Sequence, residues 1–218
     1  MALTKVRTGG ITADAITAPE IADGAIVTAA IADDAVTSAK MPEGPRFKIA
    51  TSTASNSTSL AFTTTGYKTY IMEIVGLVAA TDGADFKLEF SVDSGSNYLT
   101  GGVYGSSLSM RMDSAAVTSV VNDSNNAGFL TVGLPVDSTT TVGSSYEIYM
   151  PNVNQQTLSG HRLNGWWRSS GYTNNNLISH QYAGFHLTGV AAINNIKFSM
   201  SSGNIATGVF NLWGINAV

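Results

Sequence analysis

An apolar residue recurs at every fifth position through the opening of the chain: Val6, Ile11, Ile16, Ile21, Ile26, Ile31, Val36 and Met41. The positions between them are mostly Ala, Thr, Asp and Gly, and a ten-residue unit repeats over 11–20, 21–30 and 31–40. Asp14, Gly24 and Asp34 then share one column, and Ile16, Ile26 and Val36 another. A period of five suits neither regular element. In an α-helix each step of five turns the stripe by about 140°, and in a strand five is odd, so successive side chains point to opposite faces. The row is buried only if the chain turns at each repeat, as solenoids do, or if identical chains wind about a common axis and meet at each apolar layer.

Core size separates these options. A single coil of this length, about 40 residues, is too short to stabilise itself, whereas three chains bringing one Ile each to a layer gain roughly 1.5–3 kcal/mol per buried side chain. The expectation is therefore a multichain assembly through Val6, Ile11, Ile16, Ile21, Ile26, Ile31, Val36 and Met41. The competing reading is an Ala-rich arm that orders only on a partner. A right-handed pentapeptide β-helix fits less well, because the small residue it needs two positions before each central apolar residue is not kept: Pro19 precedes Ile21 and Asp14 precedes Ile16.

Pro42-Glu43-Gly44-Pro45 reads as a boundary, since two prolines and a glycine stop any regular element. Two parts follow: an extended repeat-containing arm over 1–45 and a second domain over 46–218. From Arg46 onward the pattern alternates with period two between Ser, Gly, Asn, Thr and Asp clusters, which is an all-β signature. Tyr70, Met72 and Ile74 share a face; Phe86, Leu88, Phe90 and Val92 alternate with Lys87, Glu89 and Ser91. Tyr146, Ile148 and Met150 oppose Glu147 and Tyr149; Ile196, Phe198 and Met200 oppose Lys197 and Ser199; Phe210 and Leu212 face away from Asn211 and Trp213. Further strands are expected over 59–63, 108–112, 128–133, 163–169 and 183–190. About ten short strands without a long helix point to an antiparallel β-sandwich of jelly-roll type.

Composition narrows the function. Charged residues make up 12% and hydrophobic ones 44%, and 11 Lys plus Arg stand against 15 Asp plus Glu. A net charge of −4 gives no field that gathers phosphate backbones or anionic membranes, so no nucleic-acid partner is expected. With no cysteine, disulfides, thiolate metal sites and cysteine nucleophiles are excluded together. No stretch approaches the roughly 20 apolar residues that span a bilayer, and the opening residues lack a leader's apolar run, so neither membrane insertion nor secretion is expected.

Catalytic motifs are sparse. The sequence has no phosphate-binding loop ending in Lys-Ser or Lys-Thr, no metalloprotease His pair and no Gly-x-Ser-x-Gly elbow. His180 and His186 would lie about 20 Å apart on one straight strand, too far to share a metal unless the chain turns near Ala183-Gly184. The expectation is no enzyme activity, no metal and no cofactor. The stretch 91–98, Ser-Val-Asp-Ser-Gly-Ser-Asn-Tyr, resembles the Asp-box of sialidases and other β-propellers. Its physical content is a turn in which Asp93 accepts backbone hydrogen bonds, Gly95 takes positive φ and Tyr98 packs beneath. A sialidase would need several such boxes and an arginine cluster, which Arg46, Arg111, Arg162 and Arg168 do not make.

A binding surface is expected around 161–176. Adjacent tryptophans on a strand point to opposite faces, so one of Trp166 and Trp167 leaves the core. An exposed indole beside Arg168, with Tyr172 further on, suits stacking on sugar rings; the competing and favoured reading is that the second Trp packs on a neighbouring subunit. No acidic residue follows Glu147, whereas Arg162, Arg168 and Lys197 do, which weakly favours acidic glycans.

The opening segment, with its Ile-Thr, Asp-Gly-Ala-Ile and Asp-Ala-Val-Thr units and a closing Lys-Met, resembles the repetitive N-terminal segments of tail-fibre and minor structural proteins of tailed bacteriophages. The end of the chain, Ile-Lys-Phe-Ser-Met-Ser-Ser-Gly over 196–203 and a last strand closing in Trp-Gly-Ile, is similar to the final strands of phage β-sandwich modules. The resemblance implies a virion structural protein of head-fibre, tail-fibre or spike type: a homotrimer whose arm attaches to capsid or tail proteins while the sandwich projects. Assembly would take place in the host cytoplasm. A carbohydrate-binding module for host adsorption is the alternative, and a glycan-degrading enzyme ranks below it.

Overall fold

A computed structural model describes residues 46–113, 116–133, 135–139, 143–153, 163–172, 178–188 and 191–217. All belong to one unit, Pro42–Val218. The assembly positions Val6 to Met41, the arm 1–45 that carries them, and His161, Arg162 and 173–176 lie outside the described residues.

The described residues hold twelve strands and no helix: β1 (Phe47–Ser57), β2 (Ser59–Thr63), β3 (Tyr67–Ala79), β4 (Phe86–Ser91), β5 (Val103–Asp113), β6 (Ala116–Ala127), β7 (Phe129–Thr131), β8 (Ser144–Met150), β9 (Asn164–Tyr172), β10 (Ile178–Leu187), β11 (Asn195–Met200) and β12 (Ile205–Ala217). They form an eight-stranded sheet in the order β1-β12-β3-β8-β9-β10-β5-β6 and a four-stranded sheet in the order β2-β11-β4-β7. Every strand pairing is antiparallel.

Four of the pairs are nested in sequence: β1 with β12, β2 with β11, β3 with β8, and β4 with β7. The remaining strands are two insertions. β5 and β6 leave between β4 and β7, and β9 and β10 between β8 and β11. Both insertions join the same sheet beyond β8, which doubles its width and leaves the other sheet at four strands.

The sheets face one another across one core because the period-two pattern loads one side of each strand. Phe86, Leu88 and Phe90 of β4 point inward, as do Phe62 of β2 and Phe198 of β11; from the wide sheet come Tyr70, Met72 and Ile74, with Phe210 and Leu212. Rings meet across the gap: Phe198 and Phe210 at 5.5 Å, Phe86 and Tyr146 at 5.3 Å, and Phe90 and Phe185 at 6.1 Å between centroids. Offset and tilted aromatic pairs of this kind add roughly 0.5–1.5 kcal/mol each to the burial of their area.

Several expectations need correction. Val92 is exposed whereas Ser91 is fully buried, because β4 ends at Ser91 and the chain turns there. The strand expected over 183–190 begins at Ile178 and runs unbroken through Ala183-Gly184, so no turn there brings His180 and His186 together. β1 and β6 were not expected. β1 reads Ser, Thr and Ala because it is an edge strand with Ala54 its one buried residue, and β6 reads as a turn cluster of Asn, Asp and Ser at the opposite edge.

Candidate functional site

The face of the wide sheet that points away from the core holds the side chains of interest. Along β9, Gly165, Trp167, Ser169 and Gly171 take the inward positions, and Asn164, Trp166, Arg168, Ser170 and Tyr172 the outward ones. The adjacent tryptophans divide as the alternation requires. Trp167 is 1% exposed in the core, where its Nε1 has no hydrogen-bond partner, and Trp166 stands half-buried on the outer face. A ligand on that face does not reach Trp167, so the surface role expected of the pair falls to Trp166. Tyr172 shares the face with Trp166 but lies six residues along the strand, about 20 Å away.

Trp166 is flanked by rings the sequence reading did not group with it. Tyr149, its cross-strand partner on β8, stacks at 5.4 Å and 16° between planes; Tyr182 of β10 stacks on the other side at 6.3 Å and 13°. Gly184, directly opposite Trp166, leaves room for this diagonal contact. Tyr182 ends the described run of rings and is 63% exposed.

One row along, three charged side chains lie side by side across the strands. Glu73 of β3 pairs with Glu147 of β8, which pairs with Arg168 of β9, which pairs with Tyr182. Two carboxylates on adjacent strands repel, and the neighbours offset this. Arg46 reaches both, at 3.2 Å from Glu73 and 3.7 Å from Glu147; Arg168 Nε donates to Glu147 at 2.6 Å, and Trp213 Nε1 donates to the other oxygen of Glu73 at 2.8 Å. All four carboxylate oxygens are engaged, and two guanidiniums balance two carboxylates.

Beside this row lies a groove of about 540 Å³, lined by Val75, Ser145, Ser170, His180 and Tyr182, with Glu73, Glu147 and Arg168 at one end. Its floor is low because Ser145 and Ser170, cross-strand partners, are small. Its rim on β3 is raised by a bulge. Gly76, at φ +67°, is the extra residue, so Ile74 and Leu77 both face inward while Val75 stands out at 57% exposure.

The Asp93 loop is a closed structural unit. Asp93 Oδ1 accepts from the Asn97 backbone N–H at 2.8 Å and from Ser91 Oγ at 2.7 Å, and Oδ2 accepts from Asn97 Nδ2 at 2.7 Å. These bonds, the Asn97 backbone first, lower its pKa from 3.8 to about 2. Gly95 has φ +86°, Tyr98 donates to Asn195 at 3.0 Å, and Lys197 lies 3.9 Å over the Tyr98 ring. No group of three or more His, Asp or Glu among the described residues is arranged to hold a metal.

The groove residues were legible singly rather than together. Glu147 and Tyr149 read as outward from their alternation, and His180 only as half of a distant pair. Tyr182 was hidden because Ser179 and Gln181, polar in sequence, are the inward residues of β10 and bond each other at 2.8 Å. No family model, curated protein or solved structure matches the chain.

Proposed function

We propose that the chain is a virion structural protein of a tailed bacteriophage, a homotrimeric fibre or spike that its 1–45 arm anchors to capsid or tail while the β-domain is displayed. The observation that carries this reading is the five-residue spacing from Val6 to Met41, which a single helix or strand cannot place on one face. We read the β-domain as a jelly roll widened by two hairpins. The four nested antiparallel pairs support this, since an eight-stranded jelly roll is one long hairpin rolled up, closing two Greek keys.

A non-catalytic role agrees with the outer face. A glycoside hydrolase uses two carboxyl groups flanking the scissile bond, one giving a proton and the other attacking or activating water. Glu73 and Glu147 are adjacent, but arginines and the Trp213 indole occupy their oxygens, which ties them into a cross-strand clasp.

The test is where the protein resides. An antibody against residues 46–218 should decorate the surface of tailed particles and co-sediment with them from the lysate in which the protein is made. Recovery only as free protein, with no labelled particle, rejects the proposal.

A further inference from the structure

We propose that the groove beside Tyr182 is a binding site for a neutral pyranose ring. The chemistry of its walls selects this class. A pyranose has a C–H face that packs on an aromatic ring and equatorial hydroxyls that both donate and accept hydrogen bonds. The groove offers each counterpart at one place.

Tyr182 contributes the ring. It is 63% exposed, and the stack of Trp166 and Tyr149 against it restrains its orientation and so lowers the ordering cost of binding. Val75 supplies an aliphatic wall on the opposite rim. Ser145 and Ser170 on the floor carry hydroxyls that donate or accept, and His180 adds an imidazole. Glu147 and Arg168 close one end with an acceptor and a donor already held in place by each other. The volume, about 540 Å³, falls in the range of small-molecule sites, roughly 300–1,000 Å³.

Charge decides between neutral and acidic sugars. Glu73 and Glu147 are matched by Arg46 and Arg168, so the groove end carries no net charge to attract a uronate or sialate. This replaces the weak preference for acidic glycans expected from the basic C-terminal half, because Arg168 is paired with Glu147 on the outer face. The contact centre also moves, from the Trp166-Trp167 pair to Tyr182, with Trp166 as its support.

The site is independent of the virion reading: a protein that never joined a particle would still bind the sugar. The test is an NMR titration of the full chain with methyl glycosides of glucose, galactose and mannose, their linear oligomers, and glucuronate. Saturable shifts at Tyr182, Ser170 and His180 with at least one neutral glycoside or its oligomer are expected, unchanged in high salt and weakened at least tenfold in Tyr182→Ala. Trp166→Phe, which keeps a ring behind Tyr182, should weaken binding less. Tighter binding of the oligomer assigns the site to a polysaccharide and equal affinity assigns it to a lone ring; either supports the proposal. Shifts with glucuronate alone, shifts that survive in a folded Tyr182→Ala, or no shifts at the groove with any of these sugars overturn it.

Discussion

Trp166 and Trp167 differ by one position and by about 3.3 Å of strand, yet their substitutions should separate widely. Trp167→Ala empties a core site and should cost about 3–5 kcal/mol, whereas Trp166→Ala loses two surface stacks and should cost about 1–2 kcal/mol. Chemical denaturation of the two variants measures the gap; equal losses would place both rings in the core. Asp93 gives a second residue-scale prediction. Its pKa is lowered on folding, so the stability it contributes is complete above about 3.8 and is lost as pH falls through about 2. The melting-temperature difference between the native chain and Asp93→Asn should therefore be largest near neutral pH and close on acidification across that window. A difference that stays constant down to pH 2 contradicts the assignment.

At the scale of the element, glycines show what the strands require of one another. A methyl at Gly165 would press on the Phe185 ring and lie 2.7 Å from the Tyr149 carbonyl oxygen, which the sheet holds fixed. Gly165→Ala should destabilise by about 1–3 kcal/mol. On the facing strand, a methyl at Gly184 has its nearest neighbour at 4.0 Å, so Gly184→Ala should be neutral or stabilise by up to about 1 kcal/mol. Thermal melts of the pair check this, and a loss at Gly184 equal to that at Gly165 would contradict the packing described. Strands with one apolar face, such as β4, β8 and β11, were legible because burial writes the alternation into the sequence. β1 lay hidden because an edge strand buries little, and the start of β10 because Ser179 and Gln181 satisfy each other in the core. The groove was illegible for a related reason. It is assembled across β3, β8, β9 and β10; the last three follow one another in the chain, but β3 is brought beside β8 by nested pairing over a long separation that no local pattern announces.

For the whole molecule, the division of labour follows from what each part can bury. The described residues of 46–218 close a core between two sheets. In 1–45 the apolar residues recur at every fifth position, and in the proposed trimer assembly about a common axis buries them. The direct measurement is the mass of the full chain in solution by light scattering, with and without Ile16→Asp, Ile21→Asp and Ile26→Asp together. Three copies of the 22.7 kDa chain for the native protein, falling to one in the triple variant with its β-sheet circular dichroism retained, is the predicted result. A native protein that runs as one copy, or a triple variant that stays at three, contradicts the account.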